Sequence, residues 1–134
     1  MAAIRLEDDH FCFVCGQDNP QGLKLKFQID AQNQISSAFT PQKIHQGFSG
    51  IVHGGLIAAV LDEVMVNLLW LRKIPAVSAE LNVRLKKPAK IGERLNFKAW
   101  VVRQDKRIIY TQSQAYKDDG SIIATACAKC VRMS

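Results

Sequence analysis

"GIVHGGLIAAVLDEV" (residues 50–64) sets His-Gly-Gly directly before an apolar run, then interrupts that run with two adjacent acids. From Gly54 to about Arg72 the chain is too long and too rich in Leu, Ala and Met for a strand, which predicts a helix. Arg72 and Lys73 suit its C-terminal end, and Pro75 stops it. The helix is apolar nearly all round, so burial is expected. Gly54 and Gly55 either let it enter a tight sheet or open its free N–H donors to another group. Such donors, at the positive end of the helix dipole, suit an oxyanion or a polarised carbonyl. Asp62 interrupts the apolar run, where an unpaired carboxylate is expensive, so it must meet water, a partner or a ligand. Glu63 and Asn67, four apart, form a polar stripe on another face.

Working outward, "GLKLKFQID" (22–30) alternates Leu23, Leu25, Phe27 and Ile29 and predicts a strand. Residues 33–40 are its expected hairpin partner, turning near Gln32-Asn33, and 41–53 form a loop. Four more strands are expected at 77–87, 93–104, 107–117 and 121–132, with "KDDG" (117–120) as a turn. The expected class is α+β, a six-stranded, mostly antiparallel sheet wrapped around one long central helix. Residues 1–134 are expected to form a single domain. Gly54 and Asp62 lie eight residues apart, roughly 12 Å along one helix. One carbonyl cannot touch both. If both act on one substrate, the acid comes from a second copy of the chain, which points to a homodimer with two equivalent sites.

Composition narrows the partners. The net charge is +6, with cations spread through "VRLKKPAKIGERLNFK" and "VVRQDKR" among apolar residues at strand spacing. They form either a solvated outer sheet face or a rim that attracts phosphates. No zinc-finger framework, Gly-rich phosphate loop or aromatic-basic RNA motif accompanies them, so nucleic acid is not an expected partner. Asp62, Glu63 and Asn67 break the longest apolar stretches, so no membrane span is expected. "MAAIRLEDDH" turns acidic by residue 7, unlike a signal sequence, and a cytoplasmic location is expected.

The four cysteines come as Cys12/Cys15 and Cys127/Cys130. The second pair falls on a strand, where residues three apart face opposite ways and do not readily chelate one ion. The first pair, followed by Gly16, suits half a zinc knuckle with His10 nearby, but buried or turn-forming thiols are the preferred reading. No metal and no cofactor are expected.

"GIVHGGLIAAVLDEV", "VSAELNVRLKKPAKIGE" and "CFVCGQDNPQGLKLKF" together resemble the hotdog-fold acyl-CoA thioesterases of the phenylacetate-degradation (PaaI-like) group. The resemblance covers most of the chain. It implies that Gly54 presents its N–H to a thioester carbonyl, and that Asp62 of another subunit serves as general base or nucleophile. It implies that Ser78 assists the acid or the water. Many relatives carry Asn six residues before the His; here that position is Gly47, and Gln46 is the nearest amide. His53 is expected to orient the loop rather than to react, and with Gly55, Gln46 and Gly47 it belongs to the substrate-binding set. Arg84, Lys86 and Lys87 are expected to hold the phosphates of CoA. The implied substrate is an acyl-CoA or aryl-CoA, and the implied assembly a dimer or a dimer of dimers. Acyl-chain choice is expected to depend on Phe48, Met65, Leu69 and Trp70. Two other functions fit this architecture: a non-catalytic acyl-CoA-binding module and an enoyl-CoA hydratase. "QDNPQG" faintly resembles a hydratase signature, but the His expected after its Pro is absent.

Overall fold

The computed structural model describes residues 5–133; residue 134 and residues 1–4, the start of the "MAAIRLEDDH" opening, lie outside the described residues. The Leu- and Ala-rich run builds helix α1, Gly54–Leu71. It ends where Lys73 turns left-handed (φ 62) and the Ile74 N–H reaches back to the Leu69 carbonyl at 2.8 Å. The Arg72 guanidinium does not cap those carbonyls; it donates to the Asn33 carbonyl at 3.1 Å and ties the helix end to a hairpin turn.

Six strands accompany the helix: β1 (Gln28–Ile29), β2 (Ile35–Phe39), β3 (Ala76–Leu85), β4 (Leu95–Gln104), β5 (Ile108–Lys117) and β6 (Ile122–Arg132). They form one sheet in the order β1-β2-β4-β5-β6-β3, and every pairing is antiparallel. The helix packs against β2 through β6. Leu61, Met65, Leu68 and Leu69 from the helix meet Ile35, Phe97, Ile109 and Ile123 from the sheet, all fully buried. By length and mean hydropathy (18 residues, 1.6) α1 would also suit a membrane crossing. Packing along the sheet accounts for the seven apolar residues it buries, and one such helix is also what the core helix of a water-soluble fold presents.

Two expectations need correction. The strand expected at 22–30 shrinks to Gln28–Ile29. Lys24 is left-handed (φ 52), which breaks the extended run. The Leu23 and Leu25 N–H groups pair with the carbonyls of Phe13 and Val14, so this segment folds on the cysteine-bearing loop rather than into the sheet. Nor is the helix buried all round: seven of its 18 residues are buried, while Trp70 and Leu71 stay 37% and 48% exposed. The sheet covers one side of α1 and leaves much of the other open.

β3 occupies an edge of the sheet and pairs only with β6. Its ten residues offer an open ladder, and Leu81 and Leu85 are 40% and 55% exposed beside it.

Candidate active site

The loop before α1 is held by its backbone. Gln46 bridges Val52, and the Gly47 N–H donates to the Ile51 carbonyl at 2.9 Å. The side-chain amide of Gln46 is engaged as well: its Oε1 accepts from the Gly50 N–H at 3.1 Å. Gly50 takes a left-handed turn (φ 77) that glycine adopts without strain. The Val52 N–H then donates to the Ala89 carbonyl and the His53 N–H to the His45 carbonyl.

His53 is the helix N-cap, in extended conformation, and its Nδ1 accepts from the Gly55 N–H at 2.9 Å. That bond leaves the ring proton on Nε2. The Leu56 and Ile57 N–H groups both reach the His53 carbonyl. Three of the four N–H groups that a helix start exposes are therefore satisfied. The Gly54 N–H has no partner among the described residues. Gly54 and Gly55 lie along an apolar groove of about 580 Å³, shared with Phe48, Ile51, Leu85 and Pro88. A Cβ on Gly54 would come within 2.6 Å of Leu85 Cδ1, so any side chain here displaces the Leu85 side chain. A Cβ on Gly47 would lie 3.4 Å from the His53 Cα, an ordinary contact, so packing alone does not require glycine there.

About two turns further along α1, the Ser78 hydroxyl donates to Asp62 Oδ1 at 2.6 Å. Asp62 is half-buried, and its other carboxylate oxygen has no partner among the described residues. Ser78 stands where β3 slips its register against β6, between the Ser78 and Glu80 pairings. Such a bulge re-aims a strand side chain, here the hydroxyl beside the acid. Cys130, opposite Ser78, is fully buried. Burial pushes its thiol pKa up, the Thr111 hydroxyl opposes that rise, and the Asp62 charge adds to it, which disfavours the thiolate. Cys127 on the same strand is exposed, as the alternation of faces requires.

The expected site residues thus fall into two groups and an outlier. Gln46, Gly47, His53, Gly54 and Gly55 gather at the groove, while Asp62 and Ser78 gather at mid-helix. Arg84 lies elsewhere, lining a pocket on the sheet's outer face with Trp100 and Gln112. Lys86 and Lys87 directly follow the groove residue Leu85, are exposed, and send both N–H groups to the Ile123 carbonyl. Met65 and Leu69, expected to shape the acyl pocket, are fully buried in the core instead. Phe48 does line the groove, whereas Trp70 lines a separate cavity beside Cys12 and Cys15. Leu85 and Pro88 also wall the groove, although neither is among the site residues the sequence points to.

Glu63 and Asn67 form the expected stripe, with the Asn67 amide 3.4 Å from Glu63 Oε1. The stripe faces the cysteine loop: the Cys12 thiol donates to Glu63 Oε1 at 3.6 Å. Burial, then Glu63, then Cys12 push the Cys15 thiol pKa well above the ordinary range.

An antiparallel sheet curled on one long helix is the hotdog architecture, here with an unpartnered helix-start donor beside an apolar groove. A family model for the thioesterase superfamily matches residues 49–124. Human acyl-coenzyme A thioesterase 13 is 35% identical over 104 residues, covering 75% of this chain and 74% of its own length. A solved thioesterase superfamily protein superimposes with a TM-score of 0.86 at 23% identity, over 91% of this chain and 63% of that one, under two thirds of its length. The PaaI protein of the E. coli phenylacetic acid degradation operon gives a TM-score of 0.77 at 16% identity, over 84% and 81% of the two chains. The chain belongs to the thioesterase superfamily, and its fold is that of these solved neighbours.

Proposed function

We propose that this thioesterase hydrolyses an acyl-CoA or aryl-CoA to the free acid and CoA, at two equivalent sites shared between copies of the chain in a homodimer. One observation carries the reading: the free Gly54 N–H and Asp62, which Ser78 on β3 holds, lie on one helix, roughly 12 Å apart. A thioester carbonyl oxygen in the groove accepts the Gly54 N–H, whose alignment with the helix dipole favours the charge that develops there. Asp62 of the second copy takes a proton from water as the water oxygen attacks the carbonyl carbon, or attacks that carbon itself and is released by water. Either way the C–S bond breaks and CoA leaves as thiolate. It takes up the proton that Asp62 removed from water or, on the nucleophilic route, the proton released when water cleaves the acyl–Asp62 anhydride. Ser78 fixes the carboxylate through its 2.6 Å hydrogen bond.

The assembly rests on exposed surface. The open edge of β3, the exposed Leu81 and Leu85, and Trp70 and Leu71 on α1 are all costly to leave in water. A second β3 paired antiparallel would satisfy the edge, and a dimer of dimers would extend the same logic. The acyl group takes the groove beside Phe48 and His53, where Gln46, Gly47 and Gly55 set the loop. Lys86 and Lys87, just beyond Leu85, meet the CoA phosphates. Arg84 joins them only as long-range charge, because it faces the outer pocket. The chain works as one domain (1–134), in the cytoplasm, without a cofactor for the hydrolysis and without nucleic-acid or membrane partners.

The test is free-thiol release from a panel of aryl-, short-, medium- and long-chain acyl-CoAs. Turnover on at least one is expected. Binding without thiol release would instead support a non-catalytic module, and water addition to an enoyl-CoA would support a hydratase.

A further inference from the structure

The hydrolysis described above uses neither the first cysteine pair nor Glu63, yet the fold brings them together. Cys12 and Cys15 sit in a tight turn closed by the Gly16 N–H, which donates to the Cys12 carbonyl at 2.9 Å. A Cβ on Gly16 would lie 2.3 Å from the Cys12 nitrogen and 2.6 Å from its oxygen, so no other residue fits. The Val14 N–H points at Cys12 Sγ, 3.4 Å away. Residues 10–16 therefore fold as a Cys-x-x-Cys-Gly knuckle with a backbone donor aimed at sulfur. Helix α1 presents Glu63 to it, and the two Sγ atoms and a carboxylate oxygen all lie within 4.8 Å of one another.

We propose that Cys12, Cys15 and Glu63 bind one zinc ion that clamps the N-terminal segment onto α1. Zinc takes thiolate at about 2.3 Å and carboxylate at about 2.0–2.2 Å, so a tetrahedral site has ligand–ligand edges of about 3.6–3.8 Å. The Cys12 Sγ–Glu63 distance is already 3.6 Å. Among the described residues no Lys, Arg or His pairs with Glu63; its neighbours are the two sulfurs and the neutral Asn67 amide. A divalent cation supplies the missing positive charge. Two sulfurs in the set select a thiophilic metal over magnesium or calcium. The Asn67 amide, 3.7 Å from Cys15 Sγ, orients the ligands from behind. His10 completes no knuckle: it is exposed and faces Asp8 at 3.7 Å. The fourth position opens on a cavity of about 270 Å³ bordered by Glu7, Asp8 and Trp70, which admits water or one of those carboxylates. Glu63 adjoins Asp62, so the metal steadies the turn of α1 that carries the acid.

Metal content and cobalt substitution test this on the full chain, purified reduced, without chelators or a metal-binding tag. The expected result is one zinc per chain. Replacement by cobalt(II) should give a thiolate-to-cobalt charge-transfer band and the visible bands of a tetrahedral ion. Cys12→Ser and Cys15→Ser should each weaken binding by more than about a hundredfold, beyond a change outside the ligand sphere. Glu63→Gln should weaken it less and shift the visible bands, and Cys127→Ser should leave both intact. A wild-type protein that shows no cobalt–thiolate band would overturn the site whether or not the variants fold. So would zinc content unchanged in both cysteine variants.

Discussion

The two ends of the catalytic stretch of α1 are built on opposite principles. At Gly54 the chain removes side chains, leaves a backbone donor free and borders an apolar groove with exposed Phe48 and Leu85. At Asp62 it keeps a charged side chain half-buried and fastens it to Ser78 across a strand irregularity. The first region offers room and a partial positive charge; the second offers a base or nucleophile and little space. On the proposed reading neither performs hydrolysis alone: one chain carries two half-sites, and a second copy docked on its open surfaces, the β3 edge and the exposed part of α1, would complete them.

Substitutions at each half can break or sharpen that contrast. Asp62→Asn keeps the size and the Ser78 contact but removes the charge. Thiol release should fall about a thousandfold, while size-exclusion chromatography still shows the wild-type oligomer. Near-wild-type turnover would remove the mid-helix half from the account. Gly54→Val should cost about a hundredfold in kcat/KM, because its side chain meets Leu85 and crowds the groove beside the donor. Ser78→Ala should lower kcat about tenfold with KM unchanged, since it frees the acid without touching the groove. Steady-state kinetics on one acyl-CoA separates the two patterns, and a KM effect at Ser78 would blur the division. The smallest change is expected from Lys86→Ala with Lys87→Ala. KM for the CoA ester should rise about threefold, and its salt dependence should flatten. A truncated thioester lacking the nucleotide should not register the substitution, and an equal effect on both substrates would return these lysines to the solvated surface.

Much of this was legible in the sequence because it is written in local periodicity. The helix limits, the four long strands and the Glu63–Asn67 stripe follow from spacing alone. The alternation at 22–30 puts Leu23, Leu25, Phe27 and Ile29 on one strand face, yet Leu25 is buried and Ile29 is 40% exposed, because alternation names neither a ladder partner nor a covered face. The left-handed Lys24 and the pairing with Phe13 and Val14 are tertiary outcomes with no local signature. Met65 and Leu69 were misplaced for a related reason: on an apolar helix, sequence does not say which face meets the sheet and which meets a groove. The Asp62–Ser78 bond was foreshadowed only by resemblance, since it depends on a register slip between β3 and β6. The Cys12–Glu63 contact spans 51 residues and left no trace in spacing.

The central claim is that each site takes its donor from one copy and its acid from another, and mixing two inactive variants tests it most directly. Asp62→Asn and Gly54→Val proteins would be combined under conditions that exchange subunits, with mixed dimers verified by native mass spectrometry. In a mixed dimer one site inherits both lesions and the other inherits neither. Thiol release should therefore recover to about a quarter of wild type if pairing is random and the sites are independent. Verified mixed dimers of folded variants that remain as inactive as their parents would contradict the shared site.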